Sequence, residues 1–345
     1  MVINGFGGPE VLVPAELPLP EPGADEVRIR VQAVAVARTK DVAARAGRPP
    51  FGPMITAFPH VLGTEHAGVV DAVGSAVGDL SPGTRVAVSA VLSCGKCRGC
   101  VIGHEEACET FGLIGVHRQG SYAEYVVAPA GNVHRLPDDV DAASAAAVAA
   151  NGPVARAQLD AGLVGEGSTV LVIGAGGALG SMAATLAAWR GARVIGVDRL
   201  ADRPDRLDGL PLAASVDGDG EQLPQLIASA AGSWGLDCVI DNLGLPAVWA
   251  AYRPAVAYLG RIIVSGAISH DALPMQLLPF YLRSQSLIGV RTGNRAQMAA
   301  VWRDVHEGFR PPRDHVRRVP FADVSNAHAQ VEAGTTHGQT VLEML

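Results

Sequence analysis

The chain has 345 residues, 48% apolar and 18% charged, with a net charge of −7 and a pI near 5.8. That length allows two domains, each burying a core of its own. The acidic balance and the lack of any Lys/Arg run exclude an obvious nucleic-acid surface, and no apolar stretch reaches the length of a membrane span. The N-terminal "MVINGFGGPE" has no basic segment followed by an apolar run, so no secretory leader is expected. The Ala-rich run at 142–150 is short and is interrupted by Asn151-Gly152-Pro153. The expected setting is cytoplasmic, with a small-molecule substrate and neither nucleic acid nor membrane as partner.

In chain order, "DEVRIRVQAVAV" reads as the first strand, and "TKDVAARAG" as a short helix ended by Gly47. "EHAGVVDAVG" and "GTRVAVSAVL" follow as strands bounded by turn residues. The first 145 residues thus predict an irregular β domain or barrel. Next comes "SCGKCRGCVIGHEEAC", with Cys94, Cys97, Cys100 and Cys108 spaced C-x2-C-x2-C-x7-C. In a reducing compartment, thiols this close favour a metal over disulfides. Four thiolates fill a tetrahedral zinc shell and leave no position open to substrate. His104 lies inside the segment and is surplus to that shell, so it is expected to face solvent. The fifth cysteine, Cys238 in "LDCVID", is expected to be a small core residue.

Near Asn151 the pattern changes. "STVLVIGAGGALGSMAATLAAWRGARVIGVDR" reads strand, glycine turn, helix, strand, and the apolar runs "LDCVIDNLG" and "GRIIVSGA" follow. Apolar strands alternating with helices predict a parallel sheet covered on both faces. Gly174, Gly176, Gly177 and Gly180 sit between a strand and a helix, the context in which glycines let a pyrophosphate approach the backbone. The helix start at Ala178 and Leu179 offers free amides to the phosphates. Asp198 ends the second strand, 24 residues after Gly174. A carboxylate there accepts the ribose hydroxyls and repels a 2′-phosphate, which favours NAD(H). Arg199 or Arg203 could instead receive the phosphate of NADP(H). Ser265, Gly266 and Val290, at the ends of later strands, complete the expected cofactor-contacting set. Past Gly289 the chain turns polar and mixed, and "QMAAVWRDVHEGF" has a helical period.

These blocks resemble, in order and from end to end, the medium-chain dehydrogenase/reductase superfamily of zinc alcohol dehydrogenases and quinone reductases. They include "ELPLPEPGADEVRIRVQAVAV", "FPHVLGTEHAGVVDAVGSAVGDLSPGTRVAV", "GSYAEYVVAPAGNVHRLPDD", the glycine turn and "NAHAQVEAGTTHGQTVLEML". The resemblance implies an α/β protein with a GroES-like β-rich catalytic domain at 1–150 and 290–345. It also implies a Rossmann doubly wound parallel-sheet domain at 151–289, and a homodimer joined through the Rossmann sheets. It makes the four-cysteine lobe a structural zinc site.

The family's alcohol dehydrogenases carry a second, catalytic zinc. Here Thr64 stands where a ligand His is expected, in "GTEHAG". Aligning on Asp41, Arg45 and Gly47 puts Arg38 at the Cys position; a shift of one puts Ala37 there. The third ligand would fall near Ala150, with no Cys, Asp or His between Asp141 and Asp160. No catalytic zinc is therefore expected. In the first register Lys40 takes the place of the family's proton-relay Ser/Thr; in the shifted one Thr39 does. Glu65, freed of metal, would pair with Arg38 or Lys40, and His66 is a further candidate acid. Without zinc, hydride transfer needs an acceptor that delocalises its own charge or a side-chain acid. The expected activity is NAD(P)H-dependent reduction of an activated C=C bond in an enone, enoyl or quinone substrate. The alternatives are a zinc-independent carbonyl or imine reductase or alcohol dehydrogenase, a redox-neutral enzyme, and a non-catalytic nucleotide-binding protein.

Overall fold

The computed structural model describes residues 1–201, 203–269 and 271–344. The chain divides into two compact units: Met1–Ala150 with Asn294–Arg310 and Val316–Leu345, and Asn151–Gly293 with Pro311–His315.

The first unit is built on β1 (Glu26–Val36), β2 (His66–Val73), β3 (Arg85–Val88), β4 (Val91–Leu92), β5 (Gly112–Leu113), β6 (Tyr125–Pro129) and β7 (Val133–Arg135). In the second unit β8 (Thr169–Ile173), β9 (Arg193–Asp198), β10 (Ala214–Asp217), β11 (Leu236–Asp241), β12 (Val256–Val264) and β13 (Ser286–Gly289) form one sheet. The chain then returns to the first unit with β14 (Val316–Pro320) and β15 (Gln339–Glu343).

β1 organises the first sheet, ordered β14-β15-β1-β2-β3-β7. Its first half pairs with β6, Glu26 opposite Pro129 through Arg30 opposite Tyr125. Its second half pairs with β15, Ala33 opposite Glu343 through Val36 opposite Thr340. Ile29, Val31 and Val34 point into a core shared with Val70, Val86, Tyr122, Val126 and Leu342. The alternation legible in "DEVRIRVQAVAV" is the inward face of this strand. Toward its end β1 is buried on both faces, which is why the alternation fades into "AVAV".

The second sheet is wholly parallel, ordered β10-β9-β8-β11-β12-β13. Numbered from β8, that order is 3-2-1-4-5-6, the doubly wound arrangement whose ligands bind outside the carboxyl ends of the strands where the order reverses. Helix α1 (Ala142–Ala161) precedes the sheet, and α2 (Ala178–Trp189) joins β8 to β9. Helices α3 (Leu223–Ala231), α4 (Pro246–Tyr252) and α5 (Leu277–Leu282) make the later crossovers. Leu171, Ile195, Val239, Trp249, Tyr252 and Ile262 form the buried core. Helix α6 (Arg295–His306) opens on a capping box from Asn294 and Gln297, and α7 (Val324–Ala333) ends on left-handed Gly334.

Two expectations need correction. The Ala-rich run is broken in composition at Asn151-Gly152-Pro153, but the helix is not: α1 passes through Pro153. Proline removes one backbone donor from the ladder, and the buried surroundings of Gly152 and Pro153 carry the helix across the gap. The segment after β1 is not a regular helix from its start. Arg38–Val42 is a π-turn running into one α-turn at Ala43–Arg45, closed by Gly47 at φ 71°. No helix among the described residues is long and apolar enough to cross a membrane.

Candidate active site

Three constellations carry the polar chemistry. The first is the cysteine lobe between β4 and β5. Its four sulfurs lie within 4.8 Å of one another, with Cys97 Sγ 3.6 Å and Cys94 Sγ 4.0 Å from Cys100 Sγ. Thiolates at about 2.3 Å from one tetrahedral zinc stand about 3.8 Å apart, so the spacing fits. The Cys97 amide donates to Cys94 Sγ and the Cys94 amide to Cys108 Sγ, each at 3.3 Å. Backbone donors from Lys96 and Cys97 pull the Cys94 thiol down to about 6. Backbone donation from Cys94 also draws the Cys108 thiol down, whereas burial first and the neighbouring Cys97 thiol second push Cys100 up to about 12, so the lobe is a mixed cluster of sulfurs whose spacing, rather than titration, fits the metal. His104 is exposed and turns to Glu106 at 2.7 Å. Cys238 is fully buried in β11, and burial pushes its thiol up to about 12.

The second is the glycine turn between β8 and α2. Gly174 has φ 73°, and its amide and that of Ala175 donate to Val197 O at 2.9 and 3.1 Å. A Cβ on Gly180 would collide with Gly174 O, so the helix packs directly on the turn. Gly177 caps α2 without a side-chain hydrogen bond, leaving the first amides, at Ala178 and Leu179, to a ligand. This cradle fits a pyrophosphate. Ser265 follows β12 with its hydroxyl buried and unpaired, and its amide donates to Asp241 O at 3.1 Å. Gly266 lies against Asn242 O, where any Cβ would collide. The Val290 amide donates to Val264 O at 2.9 Å. These residues meet at the carboxyl ends of the parallel strands.

Asp198, at the end of β9, is nearly buried, and both its oxygens are engaged. Oδ2 accepts the Gly176 amide and Oδ1 the Arg199 amide, each at 2.8 Å. Arg206 Nε stands 2.7 Å from Oδ1. The Arg199 side chain is exposed and Arg203 half-buried. Arg206 escaped the sequence reading because it lies outside the glycine motif, in a one-turn helix at Pro204–Leu207.

The third constellation lies at the end of β1. Val34 of β1 faces His66 of β2, and the Ala35 amide donates to Glu65 O at 3.0 Å, so the π-turn sits beside Thr64 and Glu65. The Lys40 ammonium pairs with Glu65 Oε1. Thr64 Oγ1 lies 2.6 Å from Glu65 Oε2 and 3.2 Å from Asp41 Oδ2. Asp41 Oδ2 also accepts the Ala37 amide at 2.8 Å, which holds the turn closed. A threonine hydroxyl has one proton to give. If it goes to Glu65, the Asp41 contact needs a proton on Asp41. Burial first, and the Glu65 charge second, push Asp41 up to about 7.

His66 is fully buried, and burial pushes its imidazole down to about 4. Its Nδ1 is 3.1 Å from Thr64 O, an atom that only accepts, so Nδ1 carries the proton and the unpaired Nε2 is a lone-pair acceptor. Arg38 and Thr39 are exposed, and Arg38 donates to Glu332 O at 3.3 Å. Of the two cations offered to Glu65, Lys40 takes it. Asp41 entered the sequence reading only as an alignment mark; nothing local in "RTKD" tells that its carboxyl would be buried beside Glu65. Buried Arg45, also an alignment mark, pairs with Glu332 at 2.5 Å, and Tyr122 with His328 at 2.7 Å.

Residues 23–138 match the family described as Alcohol dehydrogenase GroES-like domain, and 178–307 the family described as Zinc-binding dehydrogenase. The chain is 34% identical over 252 residues to L-threonine 3-dehydrogenase of Anaeromyxobacter dehalogenans (strain 2CP-C), covering 73% of this chain and 72% of that one. It is 41% identical over 187 residues to the L-threonine 3-dehydrogenase of Anaeromyxobacter sp. (strain Fw109-5), covering 54% of this chain and about half, 53%, of that relative. A crystal structure of an NAD-dependent alcohol dehydrogenase superposes with a TM-score of 0.88 at 32% identity, covering 99% of this chain and 98% of that one. With the doubly wound sheet, the glycine cradle and the thiol cluster, these likenesses converge: the chain belongs to the medium-chain dehydrogenase/reductase superfamily and is an NAD(P)-dependent oxidoreductase.

Proposed function

We propose that this oxidoreductase reduces an activated carbon–carbon double bond, of the enone, enoyl or quinone type, without a catalytic zinc. One observation carries the reading: at the positions where the family resemblance asks for metal ligands stand Arg38 and Thr64, and the neighbouring Glu65 is held by the ammonium of Lys40. An ammonium is a fixed positive charge with protons to give, and it supplies in one group what a Lewis acid and a proton relay supply together. The reduced nicotinamide provides the hydride. The chain provides the rest. The glycine turn and the start of α2 hold the pyrophosphate. Glu65, braced by Thr64, holds Lys40 in place. Lys40 would steady the oxyanion that grows as hydride reaches the β carbon and would give one N–H proton to the resulting enolate, leaving a neutral amine that solvent reprotonates. His66 at neutral pH has no proton on Nε2, which leaves Lys40 as the acid. The thiol lobe holds one zinc as a brace and takes no part in the chemistry.

The names of the relatives favour a second reading, oxidation of an alcohol or reduction of a carbonyl, in which Lys40 protonates the carbonyl oxygen. We also propose a homodimer. β13 is one of the two edges of the parallel sheet, Leu287 on it is 45% exposed, and Tyr258, Leu259, Leu278, Tyr281 and Leu282 nearby in the fold are more than half exposed. An apolar open edge is what a two-fold partner covers.

The test is a panel of enones, enoyl thioesters, quinones and ketones with NADH and NADPH, read by cofactor absorbance, beside zinc analysis of the purified protein. Cofactor oxidation by the conjugated substrates alone, with about one zinc per chain, is the expected result. A second zinc, or turnover confined to alcohols and ketones, overturns the double-bond reading.

A further inference from the structure

The carboxylate that the sequence offers to an adenosine ribose already has a cation. Arg206 lies 2.7 Å from Asp198 Oδ1, with its side chain 13% and that of Asp198 7% exposed. Its Nε makes no hydrogen bond, so this is an ion pair by distance, with the N–H aimed away from the oxygen. Among the described residues the terminal guanidinium nitrogens have no other carboxylate. The turn that carries Arg206 is anchored. Pro204 starts it, Leu207 is buried, Asp208 O bonds His315 Nε2 at 3.0 Å, and Arg206 O lies 2.6 Å from where a Cβ on Gly176 would stand. Arg206 is thus built into the wall of the glycine turn, within one residue's reach of the place where a ribose 2′ substituent would meet Asp198.

Resting on the reading of this turn as the nucleotide site, we propose that Arg206 is the residue that sets cofactor choice. A free Asp198 would repel a 2′-phosphate and accept the ribose hydroxyls. Paired with a largely covered guanidinium it does neither well. Its charge is offset and one of its oxygens is already engaged twice. The terminal nitrogens of Arg206 are placed to grip a phosphate through two parallel hydrogen bonds, a geometry arginine suits better than lysine. The site therefore takes NADPH at least as well as NADH, although it displays the carboxylate that usually signals NAD(H). Asp198 serves here to position the arginine.

The experiment is direct titration of NADH and NADPH, by quenching of protein fluorescence, with wild type, Arg206→Met and Asp198→Asn. In wild type the NADPH dissociation constant should equal or fall below that of NADH. Arg206→Met should weaken NADPH by about tenfold to a hundredfold and leave NADH unchanged or tighter, so that preference inverts. Asp198→Asn, which removes the partner that positions Arg206, should weaken NADPH by a smaller factor than Arg206→Met and change NADH little; a loss confined to NADH overturns the positioning role. A purely structural role would move both cofactors together, and equal weakening by Arg206→Met overturns the proposal. So does a wild type that prefers NADH more than tenfold. If Arg206→Met does not fold, Arg206→Lys replaces it, with a smaller loss of NADPH expected and no loss overturning the idea. Failure of wild type to bind either nucleotide would sink the nucleotide reading of the turn itself, a different result from an unchanged ratio.

Discussion

At the end of β8 the polar groups of the proposed site are backbone amides, and the residues that matter are those with nothing on Cβ. At the end of β1 they are side chains, and each is defined by a partner far away in the chain: Lys40 by Glu65, Asp41 by Thr64, Arg45 by Glu332. Both places solve the same problem, how to present charge where a strand stops. The backbone solution is rigid and tied to one short motif. The side-chain solution can change its chemistry by single substitutions while the strands stay as they are. Under the proposed function, that division would keep the cofactor end fixed and leave the reactive end free to vary.

The contrast can be broken most forcefully at Lys40. Lys40→Met keeps the length and apolar stem and removes the charge. Turnover should fall by roughly 10² to 10⁴, with NAD(P)H affinity nearly unchanged, as measured by steady-state kinetics beside cofactor titration. Little loss of turnover would mean that substrate delocalisation and backbone donors carry the reaction. At the other end, Gly180→Ala puts a Cβ into Gly174 O. The turn must open, and cofactor binding should weaken by about tenfold or more, with a loss of about 1–3 kcal/mol of stability. Binding that survives intact would show that the close packing of α2 on the turn is dispensable.

A smaller effect isolates Asp41. Its carboxyl rises from 3.8 to about 7 on folding. The folded state therefore holds this proton more tightly, and the contribution to stability falls as pH climbs from about 4 to 7 and stays low above. Asp41→Asn keeps an oxygen for the Ala37 amide and removes that cost. It should stabilise the protein by about 2–4 kcal/mol at pH 8 and hardly at all at pH 4, as urea melts at the two pH values would register. The buried imidazoles act in the opposite sense. His66 and His134 are pushed down to about 4 and His328 to about 3, so their contribution is lost as pH falls below 6.5. The wild type should therefore lose stability on acidification, and only the difference between variant and wild type reports Asp41. The smallest change is expected of Thr39→Val. Thr39 is exposed on the turn, and its turnover should stay within about twofold of wild type; a loss rivalling that of Lys40→Met would shift the acid's place by one residue.

What the sequence revealed follows the same division. The strands announced themselves by alternation or by continuous apolar runs, because burial on one face or two writes itself into neighbouring residues. The glycine turn was legible because its constraint is local: a collision between Gly180 and Gly174 is a matter of six residues. The thiol lobe was legible for a like reason. The pairing of Lys40 with Glu65 was foreseen only as one of two possibilities, since Arg38 offered the same charge on the same turn; a π-turn, rather than a regular helix, decides which of them faces inward. Arg206 was invisible because its meaning comes from a carboxylate eight residues earlier that the chain reaches by folding back. The continuation of α1 through Pro153 was hidden too, since a helix-breaking residue speaks in composition while its buried surroundings do not.

The electrostatics of the cluster after β1 have a consequence for the proposed reaction. The Lys40 charge draws Asp41 toward ionisation, and the Glu65 charge draws it toward protonation. When Lys40 gives up a proton to a product, the first influence vanishes and the second stands alone. Asp41, already pushed up to about 7, is then drawn further toward its protonated form. The charge state of the buried carboxyl therefore follows that of its half-buried neighbour, and a change at the reactive ammonium is felt one residue deeper in the turn.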